Sequence, residues 1–190
     1  HCLEKNFFES NTMSPGTFKI ALLGPESTGK STLAAALADY FGTGWVPEFA
    51  RSYLPTLTHE YTEADVLHCA KEQRNLEDAA CRATTARLLF FDTDMINLSV
   101  WLEYRFSKAP DWLTKELKSR YDFYLLTTPD LPFEPDPLRE HPDLREYFFD
   151  KYRQAIHAAG IPYQVIEGVG KQRFENARRA VEKALSTEIE

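Results

Sequence analysis

A chain of 190 residues with 43% hydrophobic and 27% charged side chains can fill one buried core and is short for two. Its formal charge of −7 argues against gripping a nucleic-acid backbone, which depends on clustered Lys and Arg, and no apolar run approaches the roughly 18 residues of a membrane span. Cys2, Cys69 and Cys81 have neither zinc-site spacing nor an even count for closed disulfides, so a reduced, cytoplasmic setting is expected, with no nucleic-acid or membrane partner.

Residues 1–16 begin at His1, lack the apolar centre of a secretory signal and are set apart as a tail or remnant, leaving 17–190 as the expected domain. Phe18-Lys19-Ile20-Ala21-Leu22-Leu23 reads as a strand. Directly after it stands Gly24-Pro25-Glu26-Ser27-Thr28-Gly29-Lys30-Ser31, a complete phosphate-binding (Walker A) loop. Gly24 and Gly29 permit a tight turn, so that the loop N–H groups and the positive end of the next helix point at phosphate oxygens. Lys30 is placed to reach the β- and γ-phosphates of a nucleotide, and the Ser31 hydroxyl to ligate Mg²⁺. The expected nucleotide contacts are Gly24, Glu26, Ser27, Thr28, Gly29, Lys30, Ser31 and Thr32, followed by a helix with Leu33, Ala36, Leu37 and Tyr40 on one face.

Gly44-Trp45-Val46 reads as a short second strand, left by Pro47-Glu48-Phe49-Ala50-Arg51. A helix is expected over about 62–85, with Val66, Ala70, Gln73, Leu76, Ala80 and Ala83 near one face; for Gln73 and Arg74 the plain reading is a solvated surface. Leu88-Leu89-Phe90-Phe91 has the continuous apolarity of a strand buried on both sides and ends in Asp92-Thr93-Asp94, before a helical stretch with Ile96, Leu98, Val100, Trp101 and Tyr104. Further strands are expected at 122–126 and 162–166, with helices over about 143–159 and from about Lys171. Alternating strands and helices predict a parallel five-stranded sheet covered by helices on both faces. The proline-rich segment 129–142 is expected to be an irregular flap over the nucleotide.

Ligands of such sheets gather at the carboxyl ends of the strands. That rule puts the phosphate loop, Glu48 with Arg51, and Asp92 with Asp94 on one rim. Asp92 is the expected metal ligand beside Ser31, directly or through water. Asp94 points the same way if the chain stays extended, and then accepts or orients the proton of an attacking hydroxyl; otherwise it caps the next helix. Glu48 and Arg51 are candidates for holding an acceptor molecule, with a solvated ion pair as the plain alternative. Arg139 and Arg145 are candidates for contacting nucleotide phosphate and stabilising a transferring phosphoryl group. Trp45, Phe49, Tyr53, Trp101 and Tyr104 crowd the rim; most belong to the core, and one or two facing a pocket would suit a flat, cationic ring.

These pieces together resemble the ribosylnicotinamide kinase domain of NadR-type proteins, within the P-loop NTPase superfamily. The resemblance rests on the phosphate loop with glutamate inside it, Glu48-Phe49-Ala50-Arg51, Gln73-Arg74, Phe91-Asp92-Thr93-Asp94 and Leu138-Arg139, and covers about residues 18–186. It implies a P-loop NTPase three-layer α/β sandwich that transfers the γ-phosphate of ATP, with Mg²⁺, to the 5′-hydroxyl of nicotinamide riboside, a small-molecule nucleoside. NadR-type proteins also carry an adenylyltransferase domain, whose His-x-Gly-His signature this sequence lacks, so the resemblance extends to the kinase step. The alternatives are a kinase for another nucleoside, or a regulatory ATPase or nucleotide-dependent switch. An Asn-Lys-x-Asp motif for guanine is absent.

Overall fold

The computed structural model describes residues 16–188 apart from Glu116, Pro137, Leu138 and Glu140. Residues 1–15 of the expected tail, Leu138 and part of the expected flap therefore lie outside the described residues. Within them, strands β1 (Phe18–Leu23), β2 (Trp45–Val46), β3 (Leu88–Asp92), β4 (Phe123–Thr127) and β5 (Tyr163–Ile166) form one parallel sheet in the order β2-β3-β1-β4-β5. The helices are α1 (Lys30–Phe41), α2 (Ala50–Tyr53), α3 (Glu63–Ala83), α4 (Met95–Phe106), α5 (Trp112–Lys115), α6 (Leu117–Arg120), α7 (Arg145–Ala159) and α8 (Lys171–Glu188).

Strand alternation builds two cores. Ala21 and Leu23 of β1, Leu89 and Phe91 of β3, and Tyr124 and Leu126 of β4 face α3, α4 and α7. Phe18, Ile20, Leu22, Leu88, Phe90 and Leu125 face α1 and α8. A register slip of one residue would exchange the two sets, and each buried aliphatic side chain is worth roughly 1.5–3 kcal/mol, so the apolar runs hold the register firmly. The result is the predicted three-layer α/β sandwich, with β1 at its centre. The apolar face of α1 runs through Leu33, Ala34, Leu37 and Ala38; Tyr40, expected on it, is 53% exposed and packs its ring edge-on to Phe174.

Helix α3 begins where the sequence places it. The Thr62 hydroxyl accepts the Asp65 N–H while the Asp65 carboxylate accepts the Thr62 N–H, a reciprocal capping box. The single-turn helices α2, α5 and α6 were not expected, since one turn carries no periodicity to read. Among the described residues no helix is long and apolar enough to cross a membrane.

Candidate functional site

The loop joining β1 to α1 turns under tight steric limits. A side chain at Gly24 would collide with that of Thr127 and lie 2.7 Å from the Thr127 carbonyl, so the loop closes against β4 only because Gly24 has no Cβ. Gly29, at φ 75°, makes the left-handed step that starts α1, and Lys30 and Ser31 are its first residues. Lys30 Nζ donates to the carbonyls of Gly24 and Pro25, both at 2.8 Å. The Thr28 hydroxyl, buried, donates to the Pro25 carbonyl at 2.9 Å and accepts from Thr127 at 2.7 Å, which holds the loop's interior.

Around Lys30 stand Asp92, Glu48, Arg51 and Glu26. Burial lowers the Lys30 pKa, and the nearby carboxylates pull in the opposite direction. Burial, then the charge of Asp92, raises the Glu48 pKa. Ser31 Oγ donates to Asp92 Oδ2 at 2.5 Å, while Asp92 Oδ1 is buried with no hydrogen-bond partner. A hydroxyl and a carboxylate oxygen side by side are hard donors that fit Mg²⁺, which keeps waters and phosphate oxygens in its shell and needs few protein ligands. No group of three or more His, Cys, Asp or Glu side chains suited to a metal is found among the described residues.

Asp94 is itself extended, but the chain leading to it is not. Thr93 has φ 73°, and this left-handed step turns the next side chain into the core. There Asp94 Oδ1 caps α4 by accepting the Asn97 N–H at 3.0 Å, and Oδ2 accepts the Tyr124 hydroxyl. Asp94 lines neither of the two cavities of the site, and burial raises its pKa to about 7. The carboxylate that lines both cavities with Lys30 is Glu48.

The larger cavity, about 750 Å³, is bounded by the phosphate loop from Ser27 to Thr32, by the 129–142 segment through Leu131, Pro132, Glu134 and Arg139, and by Gly170, Lys171, Arg173 and Phe174 at the start of α8. The smaller, about 110 Å³, takes polar lining from Lys30, Glu26, Glu48, Thr93 and Asn97 and apolar lining from Leu54, Tyr61, Val66, Leu98, Trp101 and Phe148. Lys30, Glu48 and Arg51 line both. The rings of Tyr61 and Trp101 lie 6.2 Å apart.

The expected flap lies against the phosphate loop through polar contacts. Ser27 Oγ accepts the Glu134 N–H at 3.1 Å, Glu26 accepts the His141 N–H at 3.3 Å, and Arg51, paired with Glu48 at 3.4 Å, reaches Asp136 at 3.2 Å. Arg139 lines the larger cavity and donates to the Glu134 carbonyl at 2.7 Å. Arg145 does not face it: its guanidinium binds the carbonyls of Glu26 at 3.1 Å, Ser27 at 3.3 Å and Leu131 at 2.8 Å, strutting the loop from outside. Glu26 lines the smaller cavity, together with Gly24 and Lys30 of the same loop.

Several site residues have no local sequence signal. Gln73 is 2% exposed, against the solvated reading; its Oε1 accepts the Phe49 N–H at 2.8 Å and its Nε2 donates to the Pro47 carbonyl at 3.4 Å, bracketing Glu48. Its place near the apolar stripe of α3 was the available hint. Arg173, buried at the start of α8, donates to the carbonyls of Thr28 at 2.8 Å, Gly168 at 2.6 Å and Thr128 at 3.2 Å, and pairs with Asp130. Nothing local distinguishes it from a surface arginine. Asn97, whose Oδ1 accepts the Tyr152 hydroxyl at 2.7 Å, reads in sequence as an ordinary helix residue.

Comparison with known proteins places this geometry. The family described as AAA domain matches residues 19–173. A solved NadR protein in complex with NR superposes with a TM-score of 0.73 at 20% identity, covering 90% of this chain and 52% of that one. A NadR protein in complex with NAD and AMP-PNP gives 0.69 at 20% identity, covering 90% and 50%. Thymidylate kinase from Ehrlichia chaffeensis gives 0.62 at 14% identity, covering 90% and 100%. The chain thus spans about half the length of the NadR chains, and the NadR-like P-loop fold read from the motifs is the fold found. No curated protein matches the sequence.

Proposed function

This chain belongs to the AAA-domain family, and from that premise we propose that it is a small-molecule kinase that transfers the γ-phosphoryl group of ATP to the 5′-hydroxyl of nicotinamide riboside, giving nicotinamide mononucleotide. The observation that carries this reading is the pair of cavities that share Lys30, Glu48 and Arg51. The larger falls within the roughly 300–1,000 Å³ typical of ligand sites, and its phosphate-loop wall suits ATP. The smaller suits the acceptor, with its ring among Tyr61, Trp101 and Phe148 and its ribose toward Lys30. The aromatic faces there favour a positively charged ring such as pyridinium.

The chain's own groups provide positioning and charge. Loop N–H groups and the Lys30 ammonium hold the β- and γ-phosphates, and Arg139 faces the transferring group from the flap side. Ser31 and Asp92 would hold Mg²⁺, which neutralises phosphate charge when bound. Glu48 accepts the hydrogen bond of the 5′-hydroxyl and takes its proton as the new P–O bond forms and the bond to the departing ADP breaks. Asp94 supports this from behind, fixing the start of α4 through its cap. Membership of the AAA-domain family also favours a second reading, a regulatory ATPase that transfers phosphate to water.

ADP release measured against nicotinamide riboside, nicotinic acid riboside, common nucleosides and water separates them. Stimulation by the riboside, lost by about a hundredfold in Lys30→Ala, is the expected result. Hydrolysis indifferent to every nucleoside would establish the ATPase instead.

A further inference from the structure

Thr93 combines two costly features in one residue. It is a β-branched side chain held at φ 73°, where such residues are genuine outliers, and its Oγ1 is buried with no hydrogen-bond partner. Both neighbours enforce the conformation: Asp92 is tied to Ser31, and Asp94 is tied to Tyr124 and to the start of α4. The Thr93 N–H also donates to the Leu22 carbonyl at 3.1 Å, so the backbone has little freedom to relax. The residue is 1% exposed and is one of the residues lining the smaller cavity, as are Lys30, Glu48 and Asn97. Glycine would occupy this backbone conformation without strain and would leave no hydroxyl to satisfy.

We infer that Thr93 is a specificity-determining residue whose hydroxyl hydrogen-bonds an alcohol oxygen of the acceptor. The inference rests on the proposed use of the smaller cavity for that acceptor. Glu26 and Glu48, when ionised, only accept hydrogen bonds, and Lys30 only donates. Thr93 Oγ1 can do both, as a sugar hydroxyl does, which makes it a complementary partner for a ribose hydroxyl and a poor one for an analogue that lacks that hydroxyl. A site whose buried polar group pairs only with the right ligand penalises the analogue that leaves it unpaired.

The test is titration calorimetry and steady-state kinetics on the native protein and three variants, with ATP, Mg²⁺, nicotinamide riboside and the nucleoside panel. Thr93→Val keeps the shape and the β-branch and removes the hydroxyl; acceptor Kd and KM rise roughly fivefold to tenfold, with KM for ATP unchanged. Thr93→Ser restores both acceptor constants to within about twofold of native, since its hydroxyl makes the same bond. Thr93→Gly weakens the acceptor as Val does without lowering the thermal midpoint, a split that a purely structural role would not produce. Native acceptor affinity in Thr93→Val, or equal weakening of ATP, overturns the inference. A native protein that binds the riboside without phosphorylating it ends the kinase reading and leaves the Kd series to judge Thr93. A native protein that binds no member of the panel overturns both.

Discussion

Lys30 and Cys69 line the same small cavity and differ in what burial does to them. Burial lowers the lysine pKa, and Asp92, Glu48 and Glu26 oppose the shift. Cys69 has no cation among the groups that shift it; burial, with Glu48 and Asp65 adding to it, pushes its thiol up to about 12. The sign is that of any acid whose charged form is disfavoured: the thiolate, the reactive form, appears only as pH rises toward that value. Alkylation of Cys69 by iodoacetamide in the native protein should therefore stay negligible between roughly pH 7 and 9, where a free thiol of pKa near 8.5 becomes reactive. Peptide mass spectrometry reads the outcome directly, and rapid native labelling would mean that the cavity wall opens.

At the scale of elements, α3 reaches the rim through one side chain. Gln73 holds the backbone on either side of Glu48, and its Nε2 also lies 3.4 Å from Glu77, which accepts the Tyr121 hydroxyl and pairs with Arg120 at 2.9 Å. A buried chain of polar groups thus runs from the base of β4 to the segment after β2. Gln73→Leu preserves helix propensity and volume but frees the Phe49 N–H and the Pro47 carbonyl. It should cost about 1–3 kcal/mol in urea unfolding and raise acceptor KM more than ATP KM. Equal changes in the two Michaelis constants would show that the bracket does not serve Glu48. Sequence reading set Gln73 near the apolar face with a solvated surface as its plain alternative, and the reason is physical: helical period identifies a buried face, but only the packed partner shows that a polar group on it is satisfied.

For the whole molecule, Arg173 joins segments far apart in the chain, tying the phosphate loop at Thr28, the end of β4 at Thr128 and Asp130, and the turn into α8 at Gly168. Arg173→Met should lower stability by roughly 2–3 kcal/mol, because buried carbonyls lose their donor. Lysine should not rescue it, since one ammonium cannot reproduce the guanidinium fork; full recovery in Arg173→Lys, read by urea unfolding, would reduce Arg173 to a simple charge. By itself the sequence determined what local repetition and local stereochemistry encode. The apolar runs of β1 and β3 require strands buried on both faces, Thr62 with Asp65 starts α3, and the spacing of Gly24, Gly29, Lys30 and Ser31 shapes a phosphate cradle next to a strand end. Only the tertiary structure decided the strand order, the turn of Asp94 into the core, the outward strut of Arg145, and the meeting of Gln73, Thr93, Asn97 and Arg173 with the site. Those outcomes depend on which surfaces share a layer and on a single left-handed residue at Thr93, and neither leaves a period in the chain to be read.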